Sequence, residues 1–334
     1  MKKTRILKLI CMLLLSSVLT TACSSGTSNV NTNNEQNAGV DWPTKSVEIV
    51  IPFSAGGDTD FNARVLAKHL EAKLGKPFAV TNVTGSGGTI AAAKVKDSKN
   101  DGYTILLTHV ALNISQAASV IDFGFEDFDM GPITARSIGD AILVRGDSPW
   151  NTIEEMIADT KANPGKYKIA ANTGATTHWV AIGLQNAGAE FNVVDSGSAS
   201  ERIPALLGGH VDVICNSLSS VKDYVDTGEF KALAIANSER ITEYPEIPTL
   251  SESGVEVEFE CSYTLLFPKG TDKAIIDKIS ASIEDIVQNN EEYRNEIYNA
   301  YQQQPFYLSP EETEVYFSNE LERLMSISEK LQGK

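Results

Sequence analysis

Four times in this chain an apolar, strand-like run gives way to a turn of glycine and hydroxyl residues and then to a helical pattern. The junctions are Ile51-Pro52-Phe53-Ser54-Ala55-Gly56-Gly57-Asp58-Thr59-Asp60, Thr84-Gly85-Ser86-Gly87-Gly88-Thr89, Ala171-Asn172-Thr173-Gly174-Ala175-Thr176-Thr177-His178-Trp179 and Asp195-Ser196-Gly197-Ser198-Ala199-Ser200. Strands buried on both faces read as near-continuous apolar runs, and their alternation with helices implies parallel sheets covered by helices. Open sheets of this kind bind ligands beyond the carboxyl ends of their strands, where helix N-termini offer free backbone N–H groups to an anion.

Strand-like segments fall at 47–53, 78–84, 103–109, 141–145, 167–172, 191–195, 211–216, 231–236 and 263–267. Between them, Phe61, Val65, Leu66, Leu70 and Leu74 recur at helical spacing and Gly75 closes that helix. Ile275, Ile276, Ile279, Ile283, Ile286 and Val287 form a second stripe, and Ser309-Pro310-Glu311-Glu312 reads as a capped start to a last helix over 310–331. A length of 334 residues suggests two domains, yet no composition break marks a linker after residue 42. The expectation is a two-lobed α/β protein, each lobe a mainly parallel sheet flanked by helices, with strands crossing between lobes. The first lobe takes 42–136 and 260–334, the second 137–259.

The first 41 residues read differently. Lys2, Lys3, Arg5 and Lys8 precede a short apolar run over 10–18, the pattern of a secretory signal peptide at 1–22. Leu19-Thr20-Thr21-Ala22-Cys23 resembles the lipobox of bacterial lipoproteins, which makes Cys23 the expected lipidation site. The polar segment 23–41 then serves as a disordered tether. Loss of the leader removes four basic residues and no acidic ones, moving the net charge from −16 to −20. So acidic a chain is no nucleic-acid binder. Cys215 and Cys261 sit in apolar runs and read as buried free thiols rather than a disulfide.

Enzyme signatures are missing. There is no phosphate loop and no nucleophile elbow, and Ile90 breaks a dinucleotide fingerprint begun by Gly85 and Gly87. Among the four histidines none pairs with another at ligand spacing, so neither metal nor cofactor is expected. His69 reads as a surface residue; His109 and His178 fall near the strand ends as hydrogen-bonding wall residues.

The ordered set of motifs from Trp42 onward resembles the solute-binding proteins of tripartite tricarboxylate transporters, the Bug family. It comprises Trp42-Pro43-Thr44-Lys45-Ser46-Val47, the turn from Pro52 to Asp60 with Ala63-Arg64, Asn82 to Gly88, and Asp101-Gly102-Tyr103-Thr104. It continues with Asn163-Pro164-Gly165-Lys166, Gly197-Ser198-Ala199, Leu206-Leu207-Gly208-Gly209 with Val211-Asp212-Val213, Pro245-Glu246-Ile247-Pro248-Thr249 and Phe267-Pro268-Lys269-Gly270-Thr271. The resemblance implies a fold of the type II periplasmic-binding-protein kind that closes on a small carboxylate. It also implies large and small membrane subunits as partners, a monomeric receptor held to the membrane by its lipid, and no catalysis. Carried over residue by residue, it points to Phe53, Ser54, Ala55, Gly56 and Gly57 on one side and to Asn172, Thr173, Gly174, Thr176, Thr177 and His178 on the other. Strand-end position adds Asp58, Gly87, His109, Ser196, Ser198 and Asn216.

Two departures from the family stand out. Many relatives carry a small residue at Asp58, where an acid repels a carboxylate, binds an ammonium or hydroxyl, or caps the helix; capping is the favoured expectation. Val194-Asp195-Ser196 replaces a Pro-Tyr-Lys common before the Gly-Ser-Ala turn. Two further functions stay open: a sensory module for a membrane kinase, and an extracytoplasmic enzyme using His109 or His178.

Overall fold

The computed structural model describes residues 40–137, 139–259, 261–326 and 329. The expected leader, the lipidation site at Cys23 and nearly all of the tether lie outside them. Along the chain, β1 (Val47–Ile51) leads into α1 (Asp58–Leu74), β2 (Phe78–Asn82) into α2 (Thr89–Lys96), and β3 (Thr104–Thr108) into α3 (Ala111–Ala117). β4 (Phe128–Arg136) is followed almost at once by β5 (Asp140–Arg145). Then come α4 (Ile153–Ala162), β6 (Lys168–Ala171), α5 (Thr176–Asn186), β7 (Asn192–Asp195), α6 (Ala199–Leu207), β8 (Val213–Ser217), α7 (Lys222–Asp226) and β9 (Phe230–Ile235). After β9 the chain continues through β10 (Ser262–Pro268), α8 (Lys273–Asn289), α9 (Glu291–Tyr301), β11 (Gln304–Leu308) and α10 (Pro310–Met325).

These strands form two sheets, ordered β11-β4-β10-β3-β1-β2 and β7-β6-β8-β5-β9. The two-lobed α/β architecture is as expected, but the sheets are mixed rather than mainly parallel. β1 pairs in parallel with β2 and β3, and β6 with β7 and β8, whereas β10 and β5 run antiparallel to both of their neighbours. The cause is the crossover itself. Strands that feed the turns run toward the cleft; β5 and β10 enter their sheets from the cleft and must run away from it.

Two strands have no counterpart in the sequence reading. Gly131 and Pro132 interrupt β4, at a register shift in its pairing with β10. β11 carries Pro305 and lies on the sheet edge, where a missing N–H is tolerated. The helical stripes behave as read. All six apolar residues of the α8 stripe are buried, each a gain of about 1.5–3 kcal/mol. Gly75 closes α1 at φ 72°, and Ser309 caps α10 by accepting the Glu312 N–H. His69 is a correction: it is buried against Asn290 and Glu296, because α9 packs over that side of α1. Both Cys215 and Cys261 are buried free thiols. Among the described residues, no helix is long and apolar enough to cross a membrane.

Candidate functional site

Five parallel strands, β1, β3, β6, β7 and β8, end at one cavity between the sheets. Its first-sheet wall is Phe53, Gly57, Asp58, Thr59 and His109. Opposite lie Asp140, Asn172, Ala175, Thr176, Thr177, Gly197, Ser198, Ala199, Arg202 and Ser217, with Cys261 at the returning crossover. About 50 Å³ is open to water centres, room for a few waters or one small ligand. A larger hollow of about 570 Å³, near Arg136, Arg240 and Arg323, contains none of these strand-end turns.

Three helix N-termini meet at the small cavity: α1 through Gly57–Thr59, α5 through Ala175–Thr177 and α6 through Gly197–Ala199. Among the described residues the backbone N–H groups of Thr176, Thr177 and Ala199 have no acceptor. Such orphan donors, at the positive ends of helices, attract an anion.

Arg202 reinforces them. It is 8% exposed, donates from Nε to Asn216 Oδ1 at 2.8 Å and from Nη1 to the Gly197 carbonyl, and makes no ion pair with a described residue. A buried guanidinium whose hydrogen bonds to described residues all go to neutral groups keeps capacity for a negative group on a ligand.

Two carboxylates share the cavity. Asp58 accepts the Thr59 N–H at 2.8 Å and the Tyr263 hydroxyl at 2.8 Å. Asp140 is 7% exposed and its carboxylate has no hydrogen-bond donor among the described residues. Burial, helped by the charge of Asp58 and opposed by Arg202, pushes Asp140 up to about 7. Burial pushes His109 down to about 4, against the pull of Asp58, so its ring is neutral at neutral pH. That ring stacks on Phe53 with centroids 5.0 Å apart.

The cavity therefore brings together Phe53, Gly57, Asp58, His109, Asn172, Thr176, Thr177 and Ser198 of the expected contacts. The others are held elsewhere. Gly56 donates its N–H to Asp60 Oδ2, while the exposed Ala55 accepts the Ser200 hydroxyl across the cleft through its carbonyl. Ser54 does not reach the wall. Gly87, at φ 64°, lies against the Thr173 carbonyl, so both residues make a contact between lobes. Gly174 donates its N–H to His178 Nδ1 at 3.2 Å; that histidine braces the turn instead of facing the ligand space. Ser196 extends the β6–β7 pairing through its N–H. Asn216 stands behind Arg202 and orients it. Asp58 is not the cap, a position Gly57 occupies, though Asp58 Oδ1 does satisfy one first-turn donor. Val194, Asp195 and Ser196 all lie off the cavity wall.

Residues 62–332 match the model of the tripartite tricarboxylate transporter family receptor. The chain belongs to this family. It is 31% identical over 293 residues to protein BugT of Bordetella pertussis, covering 84% of this chain and 88% of that one. The solved periplasmic binding protein BugD superposes with a TM-score of 0.78 at 28% identity, over 87% of this chain and 98% of that one. MatC from Rhodopseudomonas palustris, solved with bound malate, has a TM-score of 0.79 at 23% identity over 86% and 100% of the two chains. The family and these neighbours are receptors and binding proteins.

Against that family pattern, the cavity residues missed from sequence are chiefly Arg202 and Asp140. Arg202 reads as an ordinary charge beside Glu201, but Ala199, Arg202 and Leu206 share the buried face of α6; their i, i+3, i+7 spacing was the available signal. Asp140 opens β5, whose reversed direction brings its first residue, paired with Ser217, to the ligand edge.

Proposed function

We propose that this receptor captures a small organic carboxylate outside the cytoplasm and delivers it to the membrane subunits of a tripartite tricarboxylate-type transporter. The observation that carries the reading is the convergence on one cavity of three helix N-termini and of the buried Arg202, which makes no ion pair with a described residue. One ligand carboxylate sits among Arg202, the Thr176 and Thr177 N–H groups and Ser198, a charge-assisted arrangement. Malate in MatC is a ligand of the same chemical class. Lobe 1 is assigned to 42–136 and 260–334 and lobe 2 to 137–259, and their closing about the two crossovers is the working cycle. Binding proceeds without turnover, on a monomer anchored through lipidated Cys23.

The test is calorimetric titration and thermal shift of residues 24–334 against a panel of mono-, di- and tricarboxylates, hydroxy acids and amino acids. Saturable binding by at least one acid, abolished in Arg202→Met, is expected. A panel without any binder sinks the reading.

A further inference from the structure

Resting on that carboxylate reading, we propose that the ligand also carries an ammonium group, making it an amino-acid-like zwitterion, and that Asp140 and Asp58 hold that group while Arg202 answers the carboxylate.

The charges in the cavity do not balance. One guanidinium meets two carboxylates in the same cavity, and the neutral His109 adds no positive charge. A simple dicarboxylate brings two more negative charges into a site that already holds Asp58 and Asp140, and like charges placed close together repel. A zwitterion adds none. Its carboxylate answers Arg202 and its ammonium supplies three N–H donors.

Those donors match acceptors left open. Asp140 is more than nine-tenths buried, lines the cavity and accepts from no described residue. Such a carboxylate is held at a cost that a cation on the ligand removes. Asp58 is already oriented, by the Thr59 N–H on one oxygen and the Tyr263 hydroxyl on the other, and a carboxylate has lone pairs to spare beyond these two. A metal ion is the other cation to consider, but among the described residues no group of three His, Cys, Asp or Glu is placed to hold one.

Proton linkage separates the two ligand types. Asp140 is faced by Asp58 of α1, Arg202 of α6, Cys215 of β8 and Tyr263 of β10. With its carboxyl near half-ionised at pH 7, a bound ammonium drives the proton off, and affinity rises as pH passes from 6 to 8. A ligand with carboxylates alone holds the proton on, and its affinity falls over the same interval.

The experiment uses two matched series on residues 24–334: L-glutamate, 2-hydroxyglutarate and glutarate, and L-alanine, L-lactate and propionate. Each is titrated calorimetrically at pH 6 and pH 8. The amino member of at least one series is expected to bind about tenfold or more tighter than its hydroxy and unsubstituted partners. That preference is expected to shrink in both Asp140→Asn and Asp58→Asn, two variants so that a folding defect in one leaves the test intact. A hydroxy or unsubstituted acid that binds as well as its amino partner overturns the ammonium, while leaving the carboxylate reading standing. If no member of either series or of the wider acid panel binds, the carboxylate reading itself falls and takes this proposal with it.

Discussion

Substituting Arg202 by methionine keeps much of the side chain's length and removes its charge. In the ligand-free protein the guanidinium donates to Asn216 Oδ1 and the Gly197 carbonyl and forms no ion pair with a described residue. Hydrogen bonds from a charged group contribute about 1.5–3 kcal/mol each, so losing both costs roughly 3–6 kcal/mol. The variant is also relieved of a buried ion whose desolvation costs several kcal/mol, which leaves ligand-free stability within about 2 kcal/mol of the parent. Binding has no such offset. Removing the charged partner of a buried ligand carboxylate costs about 2–5 kcal/mol, roughly 30- to 4000-fold in Kd. Urea denaturation without ligand measures the first quantity, and calorimetric titration with the acid that binds the parent best measures the second. Affinity within about threefold of the parent would contradict a ligand-binding role for Arg202. So would a stability loss beyond about 4 kcal/mol with affinity intact, which marks a purely structural arginine.

Three further outcomes are expected. Asp140 has a folded pKa of about 7 against an ordinary 3.8, so its stabilising contribution is complete below about pH 4 and lost as pH rises through 7. Relative to Asp140→Asn, the parent should lose up to about 4 kcal/mol between pH 4 and pH 8 in urea denaturation, His109 titrating in both proteins alike; a gap that does not change with pH contradicts burial as the cause. Gly87→Ala sets a Cβ 2.5 Å from the Thr173 carbonyl at φ 64°. It should hold the lobes apart and weaken binding by about tenfold or more, with a larger radius by small-angle scattering at saturating ligand; unchanged affinity rules that contact out as a stop for closure. His178→Ala removes one neutral hydrogen bond outside the cavity, so Kd should change by less than about tenfold, and a bigger loss places the ring on the ligand.

The two-lobed α/β class and most strand ends were legible because they follow from patterns local in sequence: apolar runs, glycine turns and helical stripes. The first turn shows where that stops. Phe53, Gly57 and Asp58 reach the cavity, while Gly56, two residues from the helix start, gives its N–H to Asp60, which Asn82 of β2 also contacts. Sequence spacing cannot say which of several adjacent N–H groups is already taken. Arg202 and Asp140 were missed for a related reason. A charge in a helix and a charge at a strand start look solvated until the fold shows that one faces inward and the other lies on a strand running away from the cleft. Local capping rules favoured Asp58 as a cap; its second partner, Tyr263, is 205 residues away.

Asp140 is also the first residue of the strand by which the chain enters the second sheet. Just before it, the Gly139 N–H donates to Ser137 Oγ, the Ser137 N–H donates to the Cys261 carbonyl, and Ser137 Oγ lies 3.1 Å from Ser217 Oγ. In the closing cycle proposed here, the segment that bends and the carboxylate that pulls on the ligand are thus one short piece of chain. The lever arm between pivot and load is almost nil. Substitutions at Ser137, Gly139 and Asp140 should then alter affinity and the rate of closing together. Changes at the rim, such as the Ser200 hydroxyl that reaches the Ala55 carbonyl, act at the far end of the arm and should shift the open–closed balance with little effect on which ligand is chosen.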